Sequence, residues 1–272
     1  MKQAPAKTQI ERELTHRFGS VFKLGEKPPA HFLSSGALEI DVLTGGGLPR
    51  GVITEICGSV SSGRITLLLS ALAGATANSE TCALVDTMDS FDPASATKAR
   101  VDFNRLLWIR CGKNLERAFK ATDLLLQSGG FGLVALNLAD VTARHTRRIV
   151  SSWWFRFQRA VESTPTVLAV VTPIASVRSC AAMLLETKNE GAIWTGLAPP
   201  GLYTDETATR EQSKPGRQLS LVRKSQRHSY QGSLLTHTYL LGGFEIGVNL
   251  ARPASWTQTS AKFHSVARPD SS

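Results

Sequence analysis

The stretch that decides the fold is Val52-Ile-Thr-Glu-Ile-Cys57, followed by Gly58-Ser-Val-Ser-Ser-Gly63 and Arg64-Ile65-Thr66. The first six residues are mostly β-branched or apolar and predict a buried strand. The apolar spacing of Ile65–Ala77 predicts a helix. A turn that joins a strand to a helix N-terminus presents backbone N–H groups, so the sequence predicts an anion-binding loop at this point.

The loop departs from the phosphate-binding pattern G-x-x-x-x-G-K-[ST]. Arg64 stands where the pattern has lysine, and Ile65 stands where it has the hydroxyl that holds magnesium. Thr66 comes one residue late, which turns it about 100° around the helix. The alternative is a tight strand-to-helix turn without a ligand. The degenerate loop consists of Gly58, Ser62, Gly63, Arg64, Ile65 and Thr66.

The composition indicates a globular protein with an acidic partner. The 272 residues include 31 basic and 22 acidic side chains, which gives a net charge of +9. A basic balance of this size favours DNA or RNA as a partner. No apolar run reaches roughly 18 residues, so no membrane span is expected. Four scattered cysteines without a CxxC pair predict no metal site and indicate the reduced thiols of a cytoplasmic protein. The start carries acids and lacks an apolar segment, so no signal peptide is expected.

Strand-like and helix-like segments alternate along the chain, which predicts an α/β fold with a mostly parallel sheet and helices on both faces. The further predicted strands are Cys82–Asp86, Leu106–Arg110, Gly132–Asn137 and Thr166–Thr172. The further predicted helices are Leu115–Gln127, Thr142–Val161 and Ser176–Glu186.

The C-terminal third breaks this alternation. Thr195–Arg217 predicts a long loop, because prolines and glycines are concentrated there. Antiparallel edge strands are predicted at Gln218–Lys224, Leu234–Leu241 and, after a Gly-Gly turn, Phe244–Val248. The predicted division is a docking module at 1–30, a core at 31–250 and a mobile tail at 251–272.

Several ordered blocks resemble the RecA family of recombinases. The resemblance runs from about residue 8 to residue 112 and is traceable to about 250. It implies a RecA-like P-loop core. The blocks are Phe18–Gly25, Leu33–Asp41, Gly45–Gly51, Ile53–Gly58, Thr81–Asp86 and Phe91–Pro93.

The resemblance also implies which catalytic parts are missing. The position of the catalytic glutamate carries Met88, and the Walker B carboxylate position carries Asn137. Together with Arg64 and Ile65, all four chemical parts of the ATPase are replaced. We expect a pseudo-ATPase with no catalytic residue and no required cofactor; weak ATP binding is left open. A divergent DNA-dependent ATPase is the alternative.

An acid-free stretch at 141–160 combines arginines with aromatic residues. Val150, Trp154, Phe157 and Val161 share one face and predict packing on the sheet. The remaining surface predicts sequence-independent DNA binding or a protein contact, with a solvated charge run as the alternative. The candidate binding residues, including a second basic stretch, are Arg144, Arg147, Arg148, Arg156, Arg159, Arg223, Lys224 and Arg227.

The first residues predict a docking module for RecA or a second copy of the chain. Ile10, Leu14 and Phe18 recur at four and form one apolar stripe. Val21 and Phe22 lie in a short strand that another sheet edge can pair.

Within RecA-like proteins the chain is most similar to the RecA-related component of the bacterial damage-inducible mutagenesis cassette (the ImuA type). This resemblance implies an accessory role in DNA repair, the SOS response to DNA damage and translesion synthesis. It implies a Y-family polymerase-like protein and an error-prone polymerase as partners. The alternative is a SulA-like cell-division inhibitor, which needs a protein partner only.

Overall fold

The computed structural model of the chain describes residues 32–195, 240–253 and 259–266. The helices in these residues are α1 (Leu38–Leu43), α2 (Arg64–Ala77), α3 (Pro93–Lys98), α4 (Leu115–Ser128), α5 (Ala143–Thr146) and α6 (Ser151–Val161). The strands are β1 (Phe32–Leu33), β2 (Leu48–Pro49), β3 (Ile53–Cys57), β4 (Cys82–Asp86), β5 (Leu106–Arg110), β6 (Leu133–Asn137), β7 (Val167–Thr172), β8 (Ala181–Thr195), β9 (Leu240–Arg252) and β10 (Ser260–Val266). None of these helices is long and apolar enough to cross a membrane.

Eight strands form one sheet in the order β10-β9-β8-β3-β7-β6-β4-β5. The pairs β3–β7, β3–β8, β6–β7, β4–β6 and β4–β5 are all parallel. β9 and β10 are antiparallel additions at one edge, and β5 lies at the other. The predicted fold class is therefore confirmed.

Apolar side chains cover both faces of the sheet. One core includes Leu67 and Leu72 of α2 together with Val248 of β9. The core on the second face is built on Phe119 of α4 and Trp154 of α6. Because helices cover both faces, the central strands β3, β4, β6 and β7 are buried along their whole length, as near-continuous apolar runs predict.

The carboxyl ends of the parallel strands meet at one edge of the sheet. The loops that follow β3, β4, β6 and β7 therefore gather there, at residues 58–63, 87–92, 138–142 and 173–177. Ligand sites of open parallel sheets lie at this edge, so the fold brings the degenerate loop close to the segment that follows Asn137.

The helix predicted at Ser176–Glu186 is wrong, because this stretch forms a short 3-10 turn and then β8. Only residues 173–180 join β7 to the parallel strand β8, whereas such connections usually need about a dozen residues or more. β8 pairs with the open side of β3, placing Met183 beside Thr54 and Leu185 beside Ile56. Pairing with β3 overrides the helical propensity of Met183-Leu-Leu185.

The helix predicted at Thr142–Val161 is two helices, α5 and α6. Val150 precedes α6 with an extended backbone and is 64% exposed, so its predicted place on the buried face is wrong. Trp154, Phe157 and Val161 are buried as predicted.

Two C-terminal predictions also need correction. β9 runs through Gly242 and Gly243, so no turn forms there. Within the predicted mobile tail, residues 260–266 form the edge strand β10. The 195–217 loop, apart from Thr195 at the end of β8, the strand Gln218–Lys224 and the module at 1–30 lie outside the described residues.

The chain divides into two compact units. The first contains the described residues up to Asn189 and those within Ile246–Phe263. The second contains the described residues within Glu190–Glu245 and those from His264 onward, and within it the His264 Nε2 atom lies 3.8 Å from the Glu245 Oε1 atom. All described residues of the candidate site below belong to the first unit.

Candidate functional site

The tight geometry of the degenerate loop requires glycine. Gly63 precedes α2 in the left-handed region, with φ of 92°. A Cβ atom at Gly63 would lie 2.5 Å from the Ile246 side chain, so no larger residue fits. Ser62 is buried and shares a 2.7 Å hydrogen bond with the Thr187 hydroxyl, which also donates to the Cys57 carbonyl. The loop is thus tied to both β3 and β8.

Arg64 turns its guanidinium into the protein. Its side chain is 5% exposed, and it donates one hydrogen bond to the Gly58 carbonyl and one of 3.0 Å to the Ala139 carbonyl. The half-exposed Asp140 carboxylate lies 3.9 Å from Nη2. Burial lowers the pKa of Arg64, and Asp140 acts in the opposite direction. Arg64 therefore joins the loop after β3 to the turn after β6.

The other residues of the loop and of the predicted lost catalytic positions pack in the core or close a turn. Ile65 is half-buried and packs on the core beside α2. Thr66 is also half-buried, one position further along the helix. Met88 packs on the core of the opposite face. The Asn137 amide oxygen accepts a hydrogen bond from the Ala139 N–H, 3.1 Å away, and so closes its own turn.

Two carboxylates near these positions close loops in the same way. Asp86 is fully buried and accepts hydrogen bonds from the Ser90 and Phe91 N–H groups. Asp89 accepts from the Gly112 N–H and lies 3.6 Å from the Arg110 guanidinium. Both carboxylates therefore already have hydrogen-bond or ionic partners within the protein.

Sequence analysis missed Glu55, a buried carboxylate on β3. Its oxygens accept hydrogen bonds from the Thr172 hydroxyl, the Ser176 N–H and hydroxyl, and the Val177 N–H. Burial raises its pKa, although these donors act in the opposite direction. A single acid in the run Val52–Cys57 is the signal that could have found it, because a buried charge needs partners.

Four candidate arginines form an exposed set, which we call the basic surface. All four are exposed, and none has an acidic partner within salt-bridge distance in the described ranges. Phe155 is 53% exposed and lies one helical turn from Arg159 on α6. Trp153 is half-buried against Phe119. The basic surface consists of Arg144, Arg147, Arg148 and Arg159.

Arg156 is also exposed, but we leave it out of the basic surface because it has an acidic partner. It donates from Nε and Nη2 to both oxygens of Asp123 on α4, a bidentate ion pair. This hydrogen bonding raises the pKa of Arg156. Asp123 lies four residues after Phe119 on the buried side of α4, and a carboxylate there signals a cationic partner.

Two sets of predicted site residues lie outside the described residues. One is the second basic stretch, Arg223, Lys224 and Arg227. The other is the docking set, Ile10, Leu14, Phe18, Val21 and Phe22. Both stay predictions.

Among protein families, the RecA N-terminal domain matches residues 3–147, which is more than half of the chain. The chain belongs to this RecA family. The match covers the degenerate loop, Met88, Asn137, Arg144 and Arg147, and it ends before α6 and the strands β7–β10. The predicted RecA-like relation is confirmed.

Curated relatives agree with the family. Protein RecA of Rickettsia canadensis (strain McKiel) is 39% identical over 137 residues, which are 49% of this chain and 39% of that protein. Protein RecA of Cutibacterium acnes is 39% identical over 137 residues, 49% of this chain and 38% of that protein. The chain thus matches about two fifths of the length of these relatives. Among solved structures, the RadB recombinase is similar with a TM-score of 0.48 at 18% identity, over 58% of this chain and 84% of that one.

Proposed function

We propose that this RecA-family chain is a non-catalytic accessory protein of DNA repair and damage-induced mutagenesis, of the ImuA type. It acts by binding DNA and protein partners, and it needs no nucleotide or metal. In this role it supports a Y-family polymerase-like protein and an error-prone polymerase during translesion synthesis.

The observation that carries the proposal is that Arg64 spends its hydrogen bonds on backbone carbonyls inside the protein. Phosphoryl transfer depends on positioned charge, and this cation is bound to the Gly58 and Ala139 carbonyls. Arginine also differs from lysine in shape and in the geometry of its donors. Ile65 and Asn137 offer magnesium neither a hydroxyl nor a carboxylate, so the residues present do not fit a nucleotide with its metal.

The basic surface supports the DNA-binding part of the role. Four exposed arginines without acidic partners among the described residues can neutralise phosphates and release counterions. Asp140 and Glu162 are the acids that flank this stretch in the sequence. Phe155 offers an exposed aromatic face on which an unpaired base can stack.

A mutagenesis assay in the source bacterium tests the role. Deletion of the gene should lower the frequency of mutations induced by ultraviolet light, and the intact gene should restore it. Restoration by an Arg64→Lys, Ile65→Thr double variant should be no better than by the wild type. An unchanged mutation frequency in the deletion strain contradicts the proposal; filamentous cells on overexpression would instead support the cell-division inhibitor.

A further inference from the structure

We propose that Arg64 is a positioning residue for the basic surface: it holds the turn at 138–142, and with it Arg144, Arg147 and Arg148, in one arrangement that needs no nucleotide. This inference deepens the proposed function and rests on its DNA-binding part. Arg64, at the lysine position of the phosphate-loop pattern, would then have a structural role.

Ala139 is the point at which Arg64 acts. The Ala139 N–H is bound by the Asn137 side chain, and its carbonyl is bound by Arg64 Nη2 at 3.0 Å. Ala139 is 3% exposed, so water does not replace a lost donor. Both polar groups of this residue are therefore fixed by side chains.

The fixed turn leads directly into the basic surface. The Leu138 N–H donates to the Val171 carbonyl, and the Val141 N–H donates to the Leu138 carbonyl. Thr142 then caps α5, whose four residues begin at Ala143 and include Arg144. A helix this short is not stable alone, so its position depends on the turn that precedes it.

The other terminal nitrogen of Arg64 is equally constrained. Nη1 donates to the Gly58 carbonyl, at the start of the loop that follows β3. The Nε atom is buried and has no hydrogen-bond partner within the described ranges. The side chain therefore acts through its two terminal nitrogens, which diverge and reach two loops at once; a single ammonium group cannot reproduce that fork.

The chain offers a matched control in Arg50. This arginine is also largely buried; it pairs with Glu80 and donates to the Pro165 carbonyl at 2.9 Å. Arg50 lies before β3, near the amino ends of the strands, whereas Arg64 lies at their carboxyl ends. Arg50 makes three hydrogen bonds and Arg64 makes two, so loss of Arg50 removes at least as much bonding. Only Arg64 borders the turn at 138–142.

The experiment compares Arg64→Gln, Arg64→Lys and Arg50→Gln in the full chain. Limited trypsin digestion with mass spectrometry measures the cleavage rates after Arg144, Arg147 and Arg148, because cleavage of folded chain follows local opening. Fluorescence anisotropy with a thymidine oligonucleotide measures DNA affinity. Urea midpoints show how much each variant loses in global stability.

Arg64→Gln should raise cleavage at these three sites by about tenfold or more and should weaken oligonucleotide binding. Arg64→Lys should fall between Arg64→Gln and the wild type. Arg50→Gln should lower the urea midpoint but leave cleavage at these sites and binding close to the wild type. The two glutamine variants are compared at urea concentrations that give them the same free energy of unfolding. If Arg64→Gln and Arg50→Gln then raise cleavage at these sites equally, the proposal is wrong.

DNA binding by the chain and the positioning role of Arg64 have separate tests. A wild-type chain that does not bind the oligonucleotide contradicts the DNA-binding part of the proposed function. The cleavage ratio between the Arg64 and Arg50 variants still decides whether Arg64 holds the turn.

Discussion

Replacing Glu55 tests how the short connection between β7 and β8 is held. Glu55→Ala leaves the N–H groups of Ser176 and Val177 buried without an acceptor. Each such group costs about 1–3 kcal/mol, so the variant should lose about 2–6 kcal/mol of its free energy of unfolding. Because whole domains have about 5–15 kcal/mol, we expect a large fall in the urea midpoint.

Glu55→Gln tests the charge of this side chain. The pKa of Glu55 in the folded protein is raised from 4.5, mainly by burial. The folded state therefore binds more protons than the unfolded state as pH rises above about 4.5. The Glu55 contribution to the free energy of unfolding is fully present below that pH and is lost as pH rises through the raised folded-state pKa.

Urea unfolding of the wild type and Glu55→Gln between pH 4.5 and pH 8 measures this effect. The difference in the free energy of unfolding between the two proteins removes the titration of all other groups. Relative to Glu55→Gln, the wild type should become less stable as pH rises and should then level off. A difference that is constant with pH, or one in which the wild type gains stability, would show that burial does not raise the pKa of Glu55.

The remaining predictions concern the partner surfaces. Replacing all four arginines of the basic surface with alanine should weaken DNA binding and reduce the slope of log affinity against log salt by up to about 0.7 for each lost single-strand contact, as anisotropy titrations at several salt concentrations can show; an unchanged slope places the DNA surface elsewhere. Arg156→Gln should lower the melting temperature but leave DNA affinity nearly unchanged, because its guanidinium is bound to Asp123; an affinity loss equal to that of an Arg159→Gln control contradicts this. Deletion of residues 1–25, or Phe22→Asp, should abolish association with RecA or with a second copy in sedimentation experiments while the circular dichroism of the core is kept; undiminished association removes the docking role.

Local sequence patterns were sufficient for the parallel strands β3 to β7. Val52–Cys57 and Cys82–Asp86 are apolar runs with clear ends, and they form β3 and β4 within one residue of the prediction. The helix predicted at Leu115–Gln127 forms as α4 within one residue, and the Asn114 side chain caps it by accepting the Arg117 N–H. These features depend on neighbouring residues in the chain, so the sequence carries them directly.

Features that depend on distant partners were missed. Ser176–Glu186 contains good helix formers, and only its pairing with β3 makes part of it a strand. Arg156 was assigned to an outward basic face because no acid lies near it in the sequence, whereas Asp123 approaches it from another helix. The internal bonds of Arg64 depend on Ala139, which the fold brings close from 75 residues away.

The proposed function requires that the loop after β3 has lost its ATPase chemistry. Phosphate release from magnesium-ATP, with and without single-stranded DNA, measures that chemistry. Ser61→Asp is a suitable control, because Ser61 is exposed with φ of 60°, aspartate tolerates that conformation, and its charge repels phosphate. The wild type and the control should release phosphate at the same background rate under all conditions. A DNA-stimulated rate in the wild type that Ser61→Asp abolishes would show that the ATPase is active and the proposed function wrong.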